Sequence, residues 1–162
     1  MRGFLDRLYR VSGWLAGLCT VGVLVSVMAG ILARQLGTNI PGTDAYAGYF
    51  MAGAGFLALA SAFKHGDHIR VTLILKALPP GVSRRLDIFS LGVGAVLSAA
   101  FAFYSVKLVR DSWLFNDIST GIDATPLWIP QITMAVGAAL FFVAIVDELV
   151  LRLRGVSAAA KE

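Results

Sequence analysis

The residues best suited to chemistry lie in one stretch, Lys64-His65-Gly66-Asp67-His68-Ile69-Arg70-Val71, which holds both histidines of this 162-residue chain. Two imidazoles three positions apart, with Asp67 between them, raise a metal or haem site as the first possibility. One zinc ion could use both, but tetrahedral zinc needs three or four ligands, and the single cysteine, Cys19, lies in a distant apolar run. A bis-histidine haem needs ligands on opposite faces of the iron, normally from two helices, and both histidines here come from one short segment. The spacing therefore predicts no metal and no other cofactor. It fits a polar helix end, with His68 donating to a neighbouring carbonyl or carboxylate. There is also no Gly-rich phosphate loop, no Ser/His/Asp constellation and no paired carboxylate in a plausible pocket. No catalytic residue is expected, and the chain does not read as an enzyme.

The elements that carry this stretch are set by hydropathy. Hydrophobic residues make up 57% of the chain and charged residues 15%, against about 25% charged in soluble domains; the mean hydropathy is +0.76. The excess is gathered into four charge-free runs: Val11–Ala33, Ala45–Phe63, Ile88–Val106 and Ala124–Val146. A helix of about 20 residues, rising about 1.5 Å per residue, crosses a hydrocarbon core of about 30 Å. The sequence thus predicts an all-α integral membrane protein with four transmembrane helices, at about 11–33, 45–63, 86–106 and 124–146, in a single domain over 1–162. Arginines precede the first run and Val27-Met28-Ala29 loosely resembles a cleavage site. The run nevertheless exceeds a signal peptide's apolar region of about 7–15 residues, so it is read as a span.

The connections carry their own signals. Gly37, Asn39, Pro41 and Gly42 predict a turn between the first two spans, with Asp44 as N-cap of the second. Gly48 and Ala52, then Ala54, Ala58 and Ala62, and on the third span Gly94, Ser98 and Ala102, recur every four residues; that spacing lets helices approach closely in lipid. Val71–Leu78 is too short to span and is stopped by Pro79-Pro80-Gly81, which predicts a short interfacial helix with Thr72 and Lys76 on its wetter face. Ser83 would then cap the third helix. Pro126 to Pro130 opens the fourth, with Trp128 at interface depth. Asp147 and Glu148 close it, with Arg152 in reach of a pair.

A net charge of +4 does not indicate nucleic acid, because the basic residues cluster at the ends of apolar runs rather than on one polar face. Four spans put both termini and the central loop on one side, which carries eleven of the fourteen Lys and Arg residues; the other side has Arg34, Lys107 and Arg110. The positive-inside rule then places both termini in the cytoplasm and the loop of Asp117 and Asp123 outside. None of the four runs contains an ionisable acid, base or histidine. The deepest polar residues are Thr20, Ser26, Ser61, Ser90, Ser98, Gln131 and Thr133, types that bond back to their own helix or join neighbours. Ion and substrate pathways need polar or ionisable groups near the midplane. This chain is not expected to transport anything alone.

These features together resemble a known family, the small membrane subunit of tripartite ATP-independent periplasmic (TRAP) transporters. The resemblance rests on Arg34 just after the first span and on a Gly/Ala-rich second span ending in His68-Ile69-Arg70-Val71. Pro79 and Pro80 with the following Arg84 and Arg85 continue it, and Pro126-Leu127-Trp128-Ile129-Pro130 completes it. The pieces cover most of the chain in the right order. Two positions depart: the family often has aspartate directly after the His-Ile-Arg-Val stretch, where this chain has Thr72, and often opens the second helix with glutamate, where Asp44 stands.

The resemblance implies an accessory subunit beside a large multi-spanning membrane subunit, with a separate periplasmic substrate-binding protein, in the bacterial inner membrane. It implies secondary import of organic anions such as carboxylates, driven by an ion gradient, with the substrate site in the large subunit. Arg34, Asp44, His68, Arg70 and Trp128 are then expected to contact a partner subunit or lipid headgroups, and Asp117 and Asp123 to face the binding protein. The alternative is a membrane anchor of a respiratory or redox complex, which bound haem would favour. An independent small exporter would be expected to show a membrane-embedded carboxylate.

Overall fold

Each charge-free run is carried over all or most of its length by a helix that continues into charged residues. The computed structural model describes residues 2–65 and 80–154. The expected interfacial helix, His68 and Arg70 lie outside the described residues. In chain order the helices are α1 Arg2–Gln35, α2 Thr43–His65, α3 Pro80–Leu114 and α4 Trp128–Leu153. All four are long and apolar enough to cross a membrane. Among the described residues there is no strand, and a single bridge joins Ile118 to Pro126.

The helix ends follow from backbone bonding. Past α1, Gly37 takes φ +70°, a left-handed conformation that glycine adopts without steric cost. Its N–H reaches the Arg34 carbonyl at 3.2 Å and the Thr38 N–H reaches that of Ala33 at 2.9 Å, which is a Schellman stop. Asn116 repeats the device past α3, at φ 51°, with the Asp117 N–H on the Ser112 carbonyl at 3.0 Å. Three starts differ from expectation. The second helix begins at Thr43, so Asp44 lies in its first turn instead of capping it. The third helix begins at Pro80, where a missing N–H removes nothing from the helix, so Ser83 sits in the first turn instead of capping it. The fourth begins at Trp128 although the charge-free run starts at Ala124. Ala124 is left-handed at φ 44°, and the Ser119 N–H takes the Thr125 carbonyl at 2.8 Å. Those loop bonds hold residues 124–127 out of the helix.

The four helices pack in the order α1–α2–α4–α3, with α2 between α1 and α4 and with α3 against α4. On α1 the residues turned inward are small or polar and follow the alternating three–four spacing of a left-handed helix seam. Tyr9, Ser12, Ala16, Gly30 and Ala33 on that register are buried, and Cys19, Val23 and Ser26 are half-buried. Ser12 Oγ donates across to the Leu57 carbonyl of α2. The other hydroxyls mostly bond back, as Thr20 does to Ala16 at 3.0 Å, Ser98 to Ala95 at 3.1 Å and Thr133 to Pro130 at 2.7 Å.

Between α2 and α4 the backbones come closest. A Cβ at Gly137 would meet the Phe56 carbonyl group and stand 2.9 Å from the Phe56 Cβ. Ala60, Ala138 and Ala144 beside it are fully buried. Gly48, from the stripe singled out in the sequence, faces open space instead. The contrast gives a direct test by thermal melting in detergent. Gly137→Ala should destabilise the chain by about 1–3 kcal/mol, the usual cost of overpacking. Gly48→Ala should be neutral or stabilise by up to about 1 kcal/mol from helix propensity. Equal behaviour of the two variants would contradict the close approach.

Candidate functional site

Charged side chains leave the lipid-facing surface and gather at the two ends of the bundle. At the end carrying both termini, Lys64 of α2 forms an ion pair with Asp147 of α4, the side chains being 20% and 22% exposed. The Lys64 ammonium also stands 5.5 Å from the centre of the Tyr9 ring of α1, close enough for a cation–π attraction. Leu5, Phe63 and Leu140 close around Tyr9, Ala60 and Ala144. Three helices are therefore tied at one point. Beside it, Arg152 reaches Asp87 of α3 at 2.7 Å and Glu148 one turn back at 3.1 Å. This second tie joins α3 to α4.

At the opposite end the polar contacts fix a loop. Tyr49 of α2 donates to Asp123 at 3.0 Å, and Ser119 donates to the other carboxylate oxygen at 2.9 Å. Thr125, followed by Ser119, Tyr49 and the local backbone, holds the Asp123 carboxyl below its ordinary 3.8, against the opposing pull of partial desolvation. Tyr46 meets Tyr49 edge to face at 6.0 Å, and Trp113 meets Trp128 at 5.2 Å. Arg34 and Asp44 pair at 3.3 Å across the α1–α2 turn, but their side chains are 66% and 85% exposed. A pair that open is worth about 1 kcal/mol at most, so both groups stay accessible.

Of the residues expected from sequence, Arg34, Asp44, Asp117, Asp123 and Trp128 thus share this end. Asp117 is exposed, while Asp123 is already held by hydroxyls. Glu148 and Arg152 pair as their spacing suggested. Asp147 pairs instead with Lys64. Tyr9, Tyr49 and the Arg152–Asp87 bridge went unnoticed in the sequence. The only signal for Lys64 and Asp147 was that each ends a charge-free run on the same side.

Four apolar helices of spanning length, with charges held at their ends, define a multi-pass membrane protein. The family described as "Tripartite ATP-independent periplasmic transporters, DctQ component" matches residues 23–155. The chain belongs to that family and is a TRAP transporter small membrane subunit. No curated protein matches it.

Two predictions test the ends. Lys64→Met leaves Asp147 half-buried without its cation and should lower stability by about 1–3 kcal/mol, between the limits for exposed and fully buried pairs. The double variant Lys64→Met/Asp147→Leu should recover much of that loss in detergent melts, and strict additivity would show that the pair is not coupled. Asp123 has a folded-state pKa below its unfolded value. Its contribution is therefore fully present above the unfolded value of about 3.9 and fades as pH falls through the folded one. The melting difference between wild type and Asp123→Asn should stay level from about pH 7 to 5 and shrink below about pH 4. A difference that grew on acidification would contradict this arrangement.

Proposed function

We propose that this chain is the accessory subunit that scaffolds the large transport subunit of a secondary, ion-gradient-driven importer of organic anions such as carboxylates. It sits in a bacterial inner membrane with both termini cytoplasmic. The observation that carries the reading is the family match over residues 23–155, joined to the lack of any Asp, Glu, Lys, Arg or His within the four charge-free runs. A chain without a midplane site needs a partner that has one. The charge asymmetry of eleven basic residues against three supports the orientation.

In this reading the end bearing Asp117, Asp123, Arg34, Asp44 and Trp128 faces the periplasm. Asp117 is its open charge, and the loop is offered to the periplasmic binding protein. His68 and Arg70 remain proposed contacts for headgroups or the large subunit at the cytoplasmic side. Proteoliposomes holding this chain and the binding protein should show no carboxylate uptake until the large subunit is added. In the complete system, Asp117→Lys should raise the binding-protein concentration for half-maximal uptake about two- to fivefold, the range of a rim charge worth up to about 1 kcal/mol. Uptake by this chain without the large subunit would overturn the scaffold reading. Unchanged kinetics in Asp117→Lys would remove the docking role.

A further inference from the structure

Among the described residues, the α3–α4 corner at the end where α1 begins and α4 ends holds more arginines than carboxylates to pair with them. Arg152 takes both carboxylates there, Asp87 and Glu148. Arg84, Arg85 and Arg154 are exposed, and among the described residues none of them forms an ion pair with a carboxylate. Arg84 reaches the Arg152 carbonyl at 3.5 Å, which places the first turns of α3 beside the last turn of α4. Arg84 and Arg85 also lie near the N-terminus of α3, where the helix dipole disfavours cations. The helix gains nothing from them at that position, so their charge is available to an external anion.

The surface below them is apolar and exposed among the described residues. Phe89, one turn after Arg85 on the same face, is 69% exposed, and Val93 and Val96 continue the exposed stripe. Val96 stands about 16 Å along the axis from Arg85 at about 1.5 Å per residue, close to half of a hydrocarbon core of about 30 Å. Exposed arginines at the α3–α4 corner, above an apolar stripe of one leaflet's depth, match a phosphate with acyl chains hanging from it.

We propose that Arg84, Arg85 and Arg154 bind the headgroup of an anionic phospholipid whose chains lie along Phe89, Val93 and Val96. The site does not depend on the transport reading, since it requires only that the chain spans a bilayer. Binding to the folded chain must raise its apparent stability. The test is thermal melting of the full chain in detergent with phosphatidylglycerol, with phosphatidylcholine or with inorganic phosphate. Phosphatidylglycerol should raise the melting temperature more than phosphatidylcholine, and high salt should weaken the difference. The triple variant R84Q/R85Q/R154Q should lose most of the difference, whereas R110Q at the opposite end should keep it. Should the triple variant fail to fold, R85Q alone should retain fewer phosphatidylglycerol adducts than wild type in native mass spectrometry. Three results would overturn the proposal: equal stabilisation by the two lipids, an equal effect of inorganic phosphate, or full retention of the phosphatidylglycerol effect by the arginine variants. Arginines that served only to orient the chain during insertion would give the first of these.

Discussion

In a bilayer no hydrophobic drive brings one apolar helix against another, so helices associate by letting their backbones come close. The contact of α2 with α4 is where this chain meets that constraint most fully. Gly137 lies against the Phe56 carbonyl, and fully buried Ala60, Ala138 and Ala144 continue the contact. Toward α1, Gly53 makes room for a side chain, since an added Cβ would stand 3.2 Å from Cys19 Sγ. With α2 held on both sides, α1 and α3 occupy the edges of the array and keep broad apolar faces such as Trp14, Leu18, Phe89 and Phe103 turned outward.

That arrangement explains where the polar groups go. Buried ionic groups away from water are expensive unless paired, so the ion pairs sit at helix ends and each ties helices that already touch. Lys64–Asp147 joins α2 to α4, with the Tyr9 ring of α1 beneath the ammonium, and Arg152–Asp87 joins α4 to α3. At the other end Asp123 draws the α3–α4 loop onto Tyr49 of α2. The bundle is locked at both ends, and the intervening hydroxyls described here mostly answer to their own helices.

The four spans were legible because a charge-free run of spanning length leaves few alternatives in physical terms. The stops after α1 and α3 were legible in part: Gly37 announces a left-handed residue, whereas Asn116 does so only weakly. The start of α4 was not, since Ala124 to Leu127 are as compatible with a helix as with the loop by hydropathy, and loop hydrogen bonds decide between them. Glu148 with Arg152, four residues apart on one helix, could be anticipated from spacing. Lys64 with Asp147 and Tyr49 with Asp123 are 83 and 74 residues apart, and a single sequence does not say which helices are neighbours. The small-residue stripes were a mixed guide for the same reason: Gly94 and Ser98 of α3 do turn inward, Gly94 toward Ile145 of α4, but Gly48 is outward and Gly137, outside any stripe singled out, is the close contact.

The most direct test of an accessory transporter subunit is its company. The chain, tagged and expressed with its native gene neighbours, would be purified in mild detergent, its partners identified by mass and its absorbance spectrum recorded. A stoichiometric, much larger multi-spanning partner without a haem band is the predicted result. A haem band with soluble redox subunits, or recovery as a lone homo-oligomer, would contradict it.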